Sequence, residues 1–467
     1  MAPATDPPHP RREGSFLAGA AASSRAGGPD GVNGPGAVDG PGAVCGPGGV
    51  NGPGTVKGPG AVKGPSGVRD PGAQKVGVYV HFPWCLQKCG YCDFLSVATP
   101  PEAIDHEGYA SAVLAELARR RDALGPRALE TVFFGGGTPS LWRPSELGRV
   151  LEAIRVAFPT GEGGPEVTVE CNPSSFDEER ARALVDVGVT RVSIGVQSLD
   201  PQRLAFLGRL HDPAGAVGAV NAALRAGVPR VSADLIFGVA GESAEEAVHE
   251  AMVLADLGLT HLSVYALTIE PGTQFGALAR KGRLPLLPED AVADSFVALH
   301  EALTSRGFDH YEISNYARGG AVARHNLGYW HGDDYVGLGC GAWGTVTVGA
   351  DKVRYRNTPV PDRYLASASD WAAADLSRAG PGELVVEGEH LPPETQLAER
   401  LMLGLRLAEG VDVEAAALAV GAEPWPPART RAVLRLVARN RLHRDGPHLR
   451  IPYSAWLLAD GTISELL

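Results

Sequence analysis

The chain has 467 residues, of which 44% are hydrophobic, and it carries a formal net charge of -12 at pH 7. This length allows two or three domains, or one barrel with an additional domain. The negative charge argues against a broad phosphate-binding surface, so nucleic acid is not an expected partner. Six cysteines suit a reducing compartment, and no apolar run reaches the roughly 18 residues of a membrane span. We therefore predict a cytoplasmic protein without an integral membrane segment.

Residues 1–75 differ in composition from the rest of the chain. A six-residue repeat of the type VNGPGA starts at Val32, and glycine does not occupy every third position, which excludes a collagen triple helix. Pro and Gly are dense and large apolar side chains are scarce, so burial cannot offset the entropy of ordering. We predict a disordered tail, in which Cys45 is a stray thiol rather than a metal ligand.

After the tail, strand patterns alternate with amphipathic helix patterns, as in a parallel (β/α) barrel. The predicted strands are Val76–Val80, Leu129–Phe134, Val167–Glu170, Arg191–Gly195, Arg230–Ile236 and Leu262–Ala266. The predicted helices between them are Tyr109–Leu124, Ser145–Phe158, Glu178–Val187, Pro213–Ala226 and Glu245–Leu257. In such barrels, chemistry takes place on the loops that follow the strands.

Directly after the first predicted strand, Cys85, Cys89 and Cys92 form a CxxxCxxC spacing. Sulfur ligands suit an iron-sulfur cluster or zinc, and structural sites of either kind usually have four protein ligands. A [4Fe-4S] cube held by three cysteines would keep one iron open for a small molecule. The alternatives are a zinc knuckle or a CxxC redox pair. Cys171 and Cys340 are isolated and bring no second pair that would complete a usual zinc site.

Glycine-rich and polar elements also occur at the ends of later predicted strands. The run Gly135-Gly136-Gly137-Thr138 follows the second strand and either lets a ligand approach the backbone closely or forms a tight turn. Glu170, Gln197 and Asp234 lie at or near the ends of the next three strands. Buried polar groups need partners, which a ligand with hydroxyl, amine and carboxylate groups would supply.

These motifs resemble the radical S-adenosylmethionine (SAM) enzymes, and most closely their HemN/HemW group of oxygen-independent coproporphyrinogen III dehydrogenases and haem chaperones. The resemblance implies a [4Fe-4S] cluster on Cys85, Cys89 and Cys92, SAM on the open iron, and a small redox protein as electron donor. In the family, an electron from the cluster splits SAM into methionine and a 5'-deoxyadenosyl radical. The positions implied to bind SAM are Tyr79, Tyr91, Gly136, Gly137, Thr138, Glu170, Gln197, Arg209, Asp234 and Ala266. The glycine run would receive the SAM amino group and the arginine would face the carboxylate.

Further on, the residues from His325 to Trp330 read HNxxYW, a motif that in the resembled group marks the haem chaperones. An imidazole can bind haem iron, and aromatic rings suit a flat porphyrin. The resemblance implies haem-binding roles for His325, Asn326, Tyr329 and Trp330. The alternative is that the first two cap a turn while the two aromatic residues pack in the core.

Two departures bear on the subgroup. The dehydrogenases carry a further cysteine two residues past the third ligand, where this chain has Phe94, which favours the chaperones. Trp343 stands where the chaperones commonly have a histidine. Cys340, close to it, is then either a substitute soft ligand or a small buried thiol.

Residues 388–467 predict a small helical domain, in which Pro392–Leu407 form an amphipathic helix with Thr395 as a candidate cap. The resemblance implies a winged-helix-like form for it. The whole chain is predicted to be an α/β protein with a disordered tail (1–75), a partial (β/α)6 TIM-like radical SAM barrel (76–318), a barrel-covering, haem-associated region (319–387) and the C-terminal helical domain (388–467).

The implied function is that of a haem chaperone that delivers haem to respiratory acceptor proteins. The alternative within the family is oxidative decarboxylation of coproporphyrinogen III by a dehydrogenase of haem biosynthesis. A third hypothesis, of another class, is a zinc scaffold without a cluster and without a redox role.

Overall fold

The computed structural model describes residues 74–161, 163–368, 376, 379 and 383–467. The predicted disordered tail, apart from its last two residues, and Cys45 lie outside the described residues. The first elements are β1 (Lys75–Phe82), β2 (Trp84–Cys85), β3 (Val97–Ala98), α1 (His106–Leu124), β4 (Ala128–Gly136), α2 (Pro144–Ala157), β5 (Glu166–Cys171), α3 (Glu178–Asp186), β6 (Arg191–Gln197), α4 (Pro201–Leu207), α5 (Pro213–Arg225), β7 (Arg230–Phe237), α6 (Ala244–Asp256) and β8 (His261–Ala266). All six predicted strands and all five predicted barrel helices are confirmed.

Six strands, in the order β1, β4, β5, β6, β7 and β8, lie side by side and parallel. Val78, Val132, Val169 and Val192 in these strands are fully buried. Because helices cover one face and the barrel interior lies on the other, such strands read as near-continuous apolar runs. The predicted (β/α)6 partial barrel is confirmed, and the carboxyl ends of its strands meet at one edge.

Short polar side chains begin several of the barrel helices. Asp177 accepts a hydrogen bond from the first turn of α3, and Asp212 does the same for α5. Ser243 and Glu246 form a reciprocal capping box at the start of α6. These side chains satisfy backbone donors that have no partner within the helix, so they fix where each helix leaves its strand.

Later segments extend the sheet at both edges, which the sequence did not predict. They are α7 (Gln274–Arg280), α8 (Glu289–Ser305), β9 (Asp309–Glu312), β10 (Asn315–Ala317), α9 (Arg324–Trp330), β11 (Tyr335–Leu338), β12 (Trp343–Val348), β13 (Asp351–Asn357), α10 (Pro361–Ser367) and β14 (Val385–Leu391). Strand β10 pairs antiparallel with β8, and β11 pairs parallel with β1. Strands β12, β13 and β14 continue antiparallel from β11, so that the described residues form a sheet of twelve strands.

The C-terminal segment has its own core. Its elements are α11 (Pro393–Gly404), β15 (Val411–Asp412), α12 (Val413–Val420), α13 (Pro427–Ala438), β16 (His443–Asp445), β17 (His448–Arg450) and α14 (Ala459–Ser464). Strands β15, β17 and β16 form a small antiparallel sheet, and Leu449 of β17 shares a buried core with Leu401 of α11 and Val433 of α13. This confirms the winged-helix-like form. The cap prediction was wrong, because Pro393 starts α11 and places Thr395 inside its first turn.

Among the described residues, no helix combines the length and the apolar character needed to cross a lipid bilayer.

Candidate functional site

The three clustered cysteines lie in the loop after β1, at the carboxyl end of the parallel strands. Cys85 is buried at the end of β2, while Cys89 and Cys92 are half-buried, and all three are free thiols. Burial raises the pKa of Cys92 to about 12 and also raises the pKa of Cys85. A thiolate at these positions therefore needs a cationic partner, which bound iron provides.

Two donors point at the sulfur atoms. The Arg209 Nη1 group donates to Cys89 Sγ at 3.5 Å, and the Thr138 hydroxyl donates to Cys85 Sγ at 3.3 Å. Hydrogen bonds to coordinating sulfurs tune a cluster and stabilise negative charge on its ligands. Arg209 follows α4 and Thr138 follows β4, so the cysteine loop receives support from two separate parts of the barrel.

Across the described part of the chain, no three His, Cys, Asp or Glu side chains are grouped around the position of one metal ion. A structural zinc ion draws four ligands to a single centre. In a [4Fe-4S] cube each cysteine binds a different iron, and three cysteines are the donor set of a cube with one open iron.

The glycine run after β4 packs against the chain that leads to the first cysteine. Gly137 N donates to the Phe82 carbonyl at 2.7 Å, and Thr138 N donates to the Trp84 carbonyl at 2.8 Å. Gly136 has φ +111°, and a Cβ atom there would lie 2.5 Å from an imidazole carbon of His81. Only glycine fits this position without displacing the histidine.

The same run has used its backbone donors within the protein, since Gly136 N donates to the Glu170 carboxylate at 3.0 Å. An incoming amino group, which donates hydrogen bonds, would therefore meet carbonyl oxygens here. This geometry is compatible with the predicted role of Gly136, Gly137 and Thr138 in binding the SAM amino group. That role stays a prediction.

Two carboxyl groups face the same region from neighbouring strands. Burial, together with the charge of Asp234, raises the pKa of Glu170 to about 8. Burial also raises the pKa of Asp234, although the Ser193 hydroxyl donates to this carboxyl at 2.9 Å. Carboxyl groups held in this way gain from a nearby cation, because a positive charge favours their ionised forms. The pair therefore fits a cationic ligand such as SAM.

The side chains of Arg209 and Gln197 both lie close to Gly195, and Arg209 also contacts the cysteine loop. Arg209 Nη2 donates to the Gly195 carbonyl at 3.0 Å, while its buried Nε has no hydrogen-bond partner among the described residues. A buried guanidinium with an unused donor calls for an acceptor, and a carboxylate suits it. Gln197 has φ +67°, an uncommon conformation for a residue other than glycine. Such outliers concentrate at ligand sites.

The remaining predicted SAM positions lie at the same end of the barrel. The Tyr79 hydroxyl is 2.9 Å from His81 Nδ1, and Tyr91 packs against Phe275 with 6.3 Å between ring centroids. Ala266 ends β8 and is exposed. The structure thus brings all ten predicted positions to one edge, and their contact with SAM stays a prediction.

His81 is a further buried polar residue at this end of the barrel, and the sequence motifs did not point to it. Its Nε2 lies 2.9 Å from the Leu95 carbonyl, so it joins Tyr79 to the segment that follows the cysteines. Burial lowers the pKa of His81 to about 4, which keeps the imidazole neutral. The available signal was a polar residue within an otherwise apolar strand.

The HNxxYW motif forms α9, which lies against the amino-terminal half of β4 rather than beside the cysteines. His325 Nδ1 is 2.7 Å from the Thr131 hydroxyl, and His325 Nε2 is 2.9 Å from the Tyr329 hydroxyl. Both ring nitrogens therefore have partners, and burial lowers the pKa of His325 to about 3. Trp330 is buried and Asn326 is half-buried. The haem role of these four residues stays a prediction, and iron binding would require His325 to release a partner.

A cleft of about 340 Å³ borders this motif, and His325 and Tyr329 contribute to its wall. Lys75 and Arg324 line it as well, and both pair with Glu130, at 2.6 Å and 3.3 Å respectively. The cleft therefore combines aromatic rings with cations and with the carboxylates of Glu130, Asp333 and Asp334.

The two isolated cysteines lie in the hydrophobic core. Cys171 Sγ donates to the Val169 carbonyl at 3.5 Å, and Cys340 Sγ donates to the Thr358 carbonyl at 3.3 Å. Both thiols are buried, and burial raises their pKa values. Cys340 therefore matches the small buried thiol rather than the substitute ligand.

Comparison with known proteins defines the class. The family model of the Radical SAM superfamily matches residues 79–253, and that of the HemN C-terminal domain matches residues 391–458. The structure of coproporphyrinogen III oxidase (HemN) from Escherichia coli, a radical SAM enzyme, has a TM-score of 0.70 at 19% identity and covers 84% of this chain and 90% of that chain. At this identity the likeness concerns the fold alone. Fold and site together define a radical SAM protein with a HemN-type C-terminal domain.

More similar relatives define the family. Heme chaperone HemW of Haemophilus influenzae is 36% identical over 342 residues, 72% of this chain and 84% of that protein. Heme chaperone HemW of Escherichia coli is 39% identical over 64% of this chain and 79% of that protein. The Mycobacterium tuberculosis protein of the same name is 35% identical over 84% of this chain and 95% of that protein. The chain belongs to the HemW family of radical SAM proteins, whose cofactors are a [4Fe-4S] cluster and SAM.

Proposed function

We propose that this protein is a haem chaperone, which binds haem in the cytoplasm and delivers it to respiratory haem proteins. The observation that carries the proposal is the similarity to relatives named heme chaperone HemW over 79% to 95% of their length. Phe94, at the position of a further cysteine in the dehydrogenases of the group, supports a chaperone over a coproporphyrinogen III dehydrogenase.

The residues around the cysteine loop would hold the two cofactors. Cys85, Cys89 and Cys92 would bind the cluster, the unused Nε of Arg209 would meet the SAM carboxylate, and Glu170 would face a SAM cation. When bound, the cluster would supply the electron that cleaves SAM. A small redox protein would then reduce the cluster again. The burial of Cys85 and the partial burial of Cys89 and Cys92 keep these groups partly away from water.

The cleft beside α9 supports a haem site. Tyr329 offers an aromatic ring there, while Lys75 and Arg324 could pair with haem propionates in place of Glu130. His325 Nε2 would reach iron only after the Tyr329 hydroxyl leaves it, because the two atoms are now 2.9 Å apart. Haem binding at this motif therefore competes with an internal hydrogen bond.

This competition gives a direct test by titration of the purified chain with haem, followed at the Soret band. We expect a stoichiometric band that His325→Ala weakens. Tyr329→Phe removes the competing hydroxyl while keeping the ring, so its affinity should equal or exceed that of the wild type. His331→Ala is the matched control, because His331 is a nearby histidine paired with Glu409 at 2.9 Å outside the motif.

Absence of a Soret band in the wild-type chain would contradict the chaperone proposal. Conversion of coproporphyrinogen III under anaerobic conditions, with SAM and a reductant present, would instead support the dehydrogenase. Equal weakening by His325→Ala and His331→Ala would place haem outside the HNxxYW motif.

A further inference from the structure

Helix α13 presents a surface of cations and apolar side chains to solvent. Arg431, Arg435 and Arg439 are exposed and follow one another at intervals of four residues, the last directly after the helix. Residues four apart lie on the same side of a helix, so the three guanidinium groups form a row about 12 Å long. Leu434 and Val437 form a neighbouring row and are 62% and 39% exposed. We call these five residues the α13 face.

The charge of this region is opposite to that of the chain as a whole. The chain has a formal net charge of -12, whereas residues 427–450 contain seven arginines and one acidic residue, Asp445. Arg444, in the hairpin after α13, lies over the ring of Trp425 at 4.4 Å and is exposed as well. The α13 face therefore lies in a positively charged part of the surface.

One carboxylate, that of Glu465, approaches the arginine row. It lies 3.8 Å from Arg435 and 3.6 Å from Arg439, and all three side chains are in contact with water. Exposed ion pairs of this kind contribute little to stability, so the arginines can leave Glu465 for another anion. One carboxylate beside three arginines also leaves the row with a net positive charge.

Other parts of the C-terminal domain account for its core and its attachment to the barrel. Ala432, Val433 and Leu436, on the opposite side of α13, pack in the core of the domain. The ring of Tyr453, in the segment after β17, stacks on His300 of α8 with 3.6 Å between centroids. The exposed arginines, Leu434 and Val437 serve neither purpose.

The combination of the two rows indicates a particular kind of partner. Single exposed apolar residues are normal, and arginines alone would suit any soluble polyanion. A row of arginines beside a row of large apolar side chains on one helix is typical of helices that lie on lipid, because the cations bind headgroups while the apolar side chains enter the acyl boundary. The same domain also exposes Leu418, Leu457 and Leu458.

We propose that the α13 face docks the protein on an anionic membrane surface. Arg431, Arg435 and Arg439 contact lipid phosphates, and Leu434 and Val437 enter the headgroup region. The contact is peripheral and reversible, and no bond is formed or broken. It goes beyond the proposed function and requires neither haem, SAM nor iron.

The test is cosedimentation of the purified full chain with lipid vesicles. We expect the chain to partition onto vesicles of phosphatidylcholine and phosphatidylglycerol in equal parts, and not onto phosphatidylcholine alone. R435Q/R439Q should weaken this partitioning about thirtyfold, because each arginine near an anionic surface contributes about 1 kcal/mol and 1.4 kcal/mol is a factor of ten. Added salt should weaken the wild-type partitioning too, since it screens exposed charges.

A matched pair of arginines controls for the change in net charge. Arg182 and Arg225 are exposed on barrel helices and share Glu178, as Arg435 and Arg439 share Glu465. R182Q/R225Q should therefore partition like the wild type. Both variants should keep the wild-type melting temperature, because the pairs that they break are exposed.

The apolar row has its own variant and control. Leu434→Ser should weaken partitioning about fivefold, because a partly exposed leucine no longer leaves water. Leu286→Ser is the control, because Leu286 is 54% exposed and lies outside the C-terminal domain.

Three results would overturn the inference. They are absence of binding to the anionic vesicles at low salt, equal losses in R435Q/R439Q and R182Q/R225Q, and unchanged partitioning in Leu434→Ser. The last result would show that the arginines bind soluble polyanions rather than a bilayer. Because the cofactor-free chain suffices for every measurement, a failure to bind haem would leave this test intact.

Discussion

SAM binding should depend on pH below neutrality, and Glu170 should be the cause. Burial raises the pKa of the free Glu170 carboxyl to about 8, so it is mostly protonated at pH 6 to 7. SAM carries a permanent sulfonium charge as well as an ammonium group. Either cation near the Glu170 carboxyl would lower the pKa of this group. SAM binding would then release a proton from Glu170, so low pH would oppose SAM binding.

The size of the effect follows from the pKa of about 8. If the pKa falls well below 6 in the complex, the SAM affinity rises about tenfold between pH 6 and pH 7, which corresponds to about 1.4 kcal/mol. The effect levels off above the free pKa, where no proton has to leave. Glu170→Gln keeps an acceptor for the Gly136 N donor but cannot ionise, so this variant should lose the Glu170-dependent slope.

Calorimetric titration of cluster-loaded protein with SAM measures this directly. Repeating it in two buffers with different ionisation enthalpies counts the protons released. Glu242→Gln is the matched control. Glu242 is also buried, burial raises its pKa to about 7, and its carboxylate accepts a hydrogen bond from Gly238 N at 2.6 Å. A flat affinity between pH 6 and 7 would refute the reasoning, as would the same slope in Glu170→Gln.

Three further predictions concern the same region. Cys89→Ala should reduce bound iron from about four atoms per chain to almost none after anaerobic reconstitution. Cys340→Ala is the control, because Cys340 lies in the core, and this variant should keep its iron. Iron retained in Cys89→Ala would exclude a [4Fe-4S] cube held by Cys85, Cys89 and Cys92. Arg209→Lys should weaken SAM binding about tenfold or more, because an ammonium group cannot reproduce the planar guanidinium. An unchanged SAM affinity in equilibrium dialysis would argue against contact between the SAM carboxylate and Arg209 Nε. Gly136 has φ +111°, and an added Cβ would lie 2.5 Å from an imidazole carbon, so Gly136→Ala should lower the free energy of unfolding by about 1–3 kcal/mol and with it the melting temperature. Gly227→Ala is the control, because Gly227 has φ +76° but open space around it, and this variant should be less destabilised. Equal losses of stability in the two variants would contradict the contact at Gly136.

The sequence by itself determined the six parallel strands and the helices between them. Strands buried on both faces must be apolar throughout, while covering helices repeat their apolar residues every three or four positions, so the two patterns differ locally. Parallel strands also end at a common edge. The cysteine loop, Glu170, Gln197 and Asp234 could therefore be placed together from their positions along the chain.

Only the tertiary structure decided how that edge is supported and how far the sheet extends. Strand β11 pairs with β1 in the register Gly77 with Tyr335, and no local pattern encodes a pairing between such distant segments. Likewise, the donation from Arg209 to Cys89 and the two partners of His325 depend on separate elements that meet in three dimensions. Spacing along the chain predicts which residues belong to a loop or strand, but side-chain partners and burial depend on the packing of the whole fold.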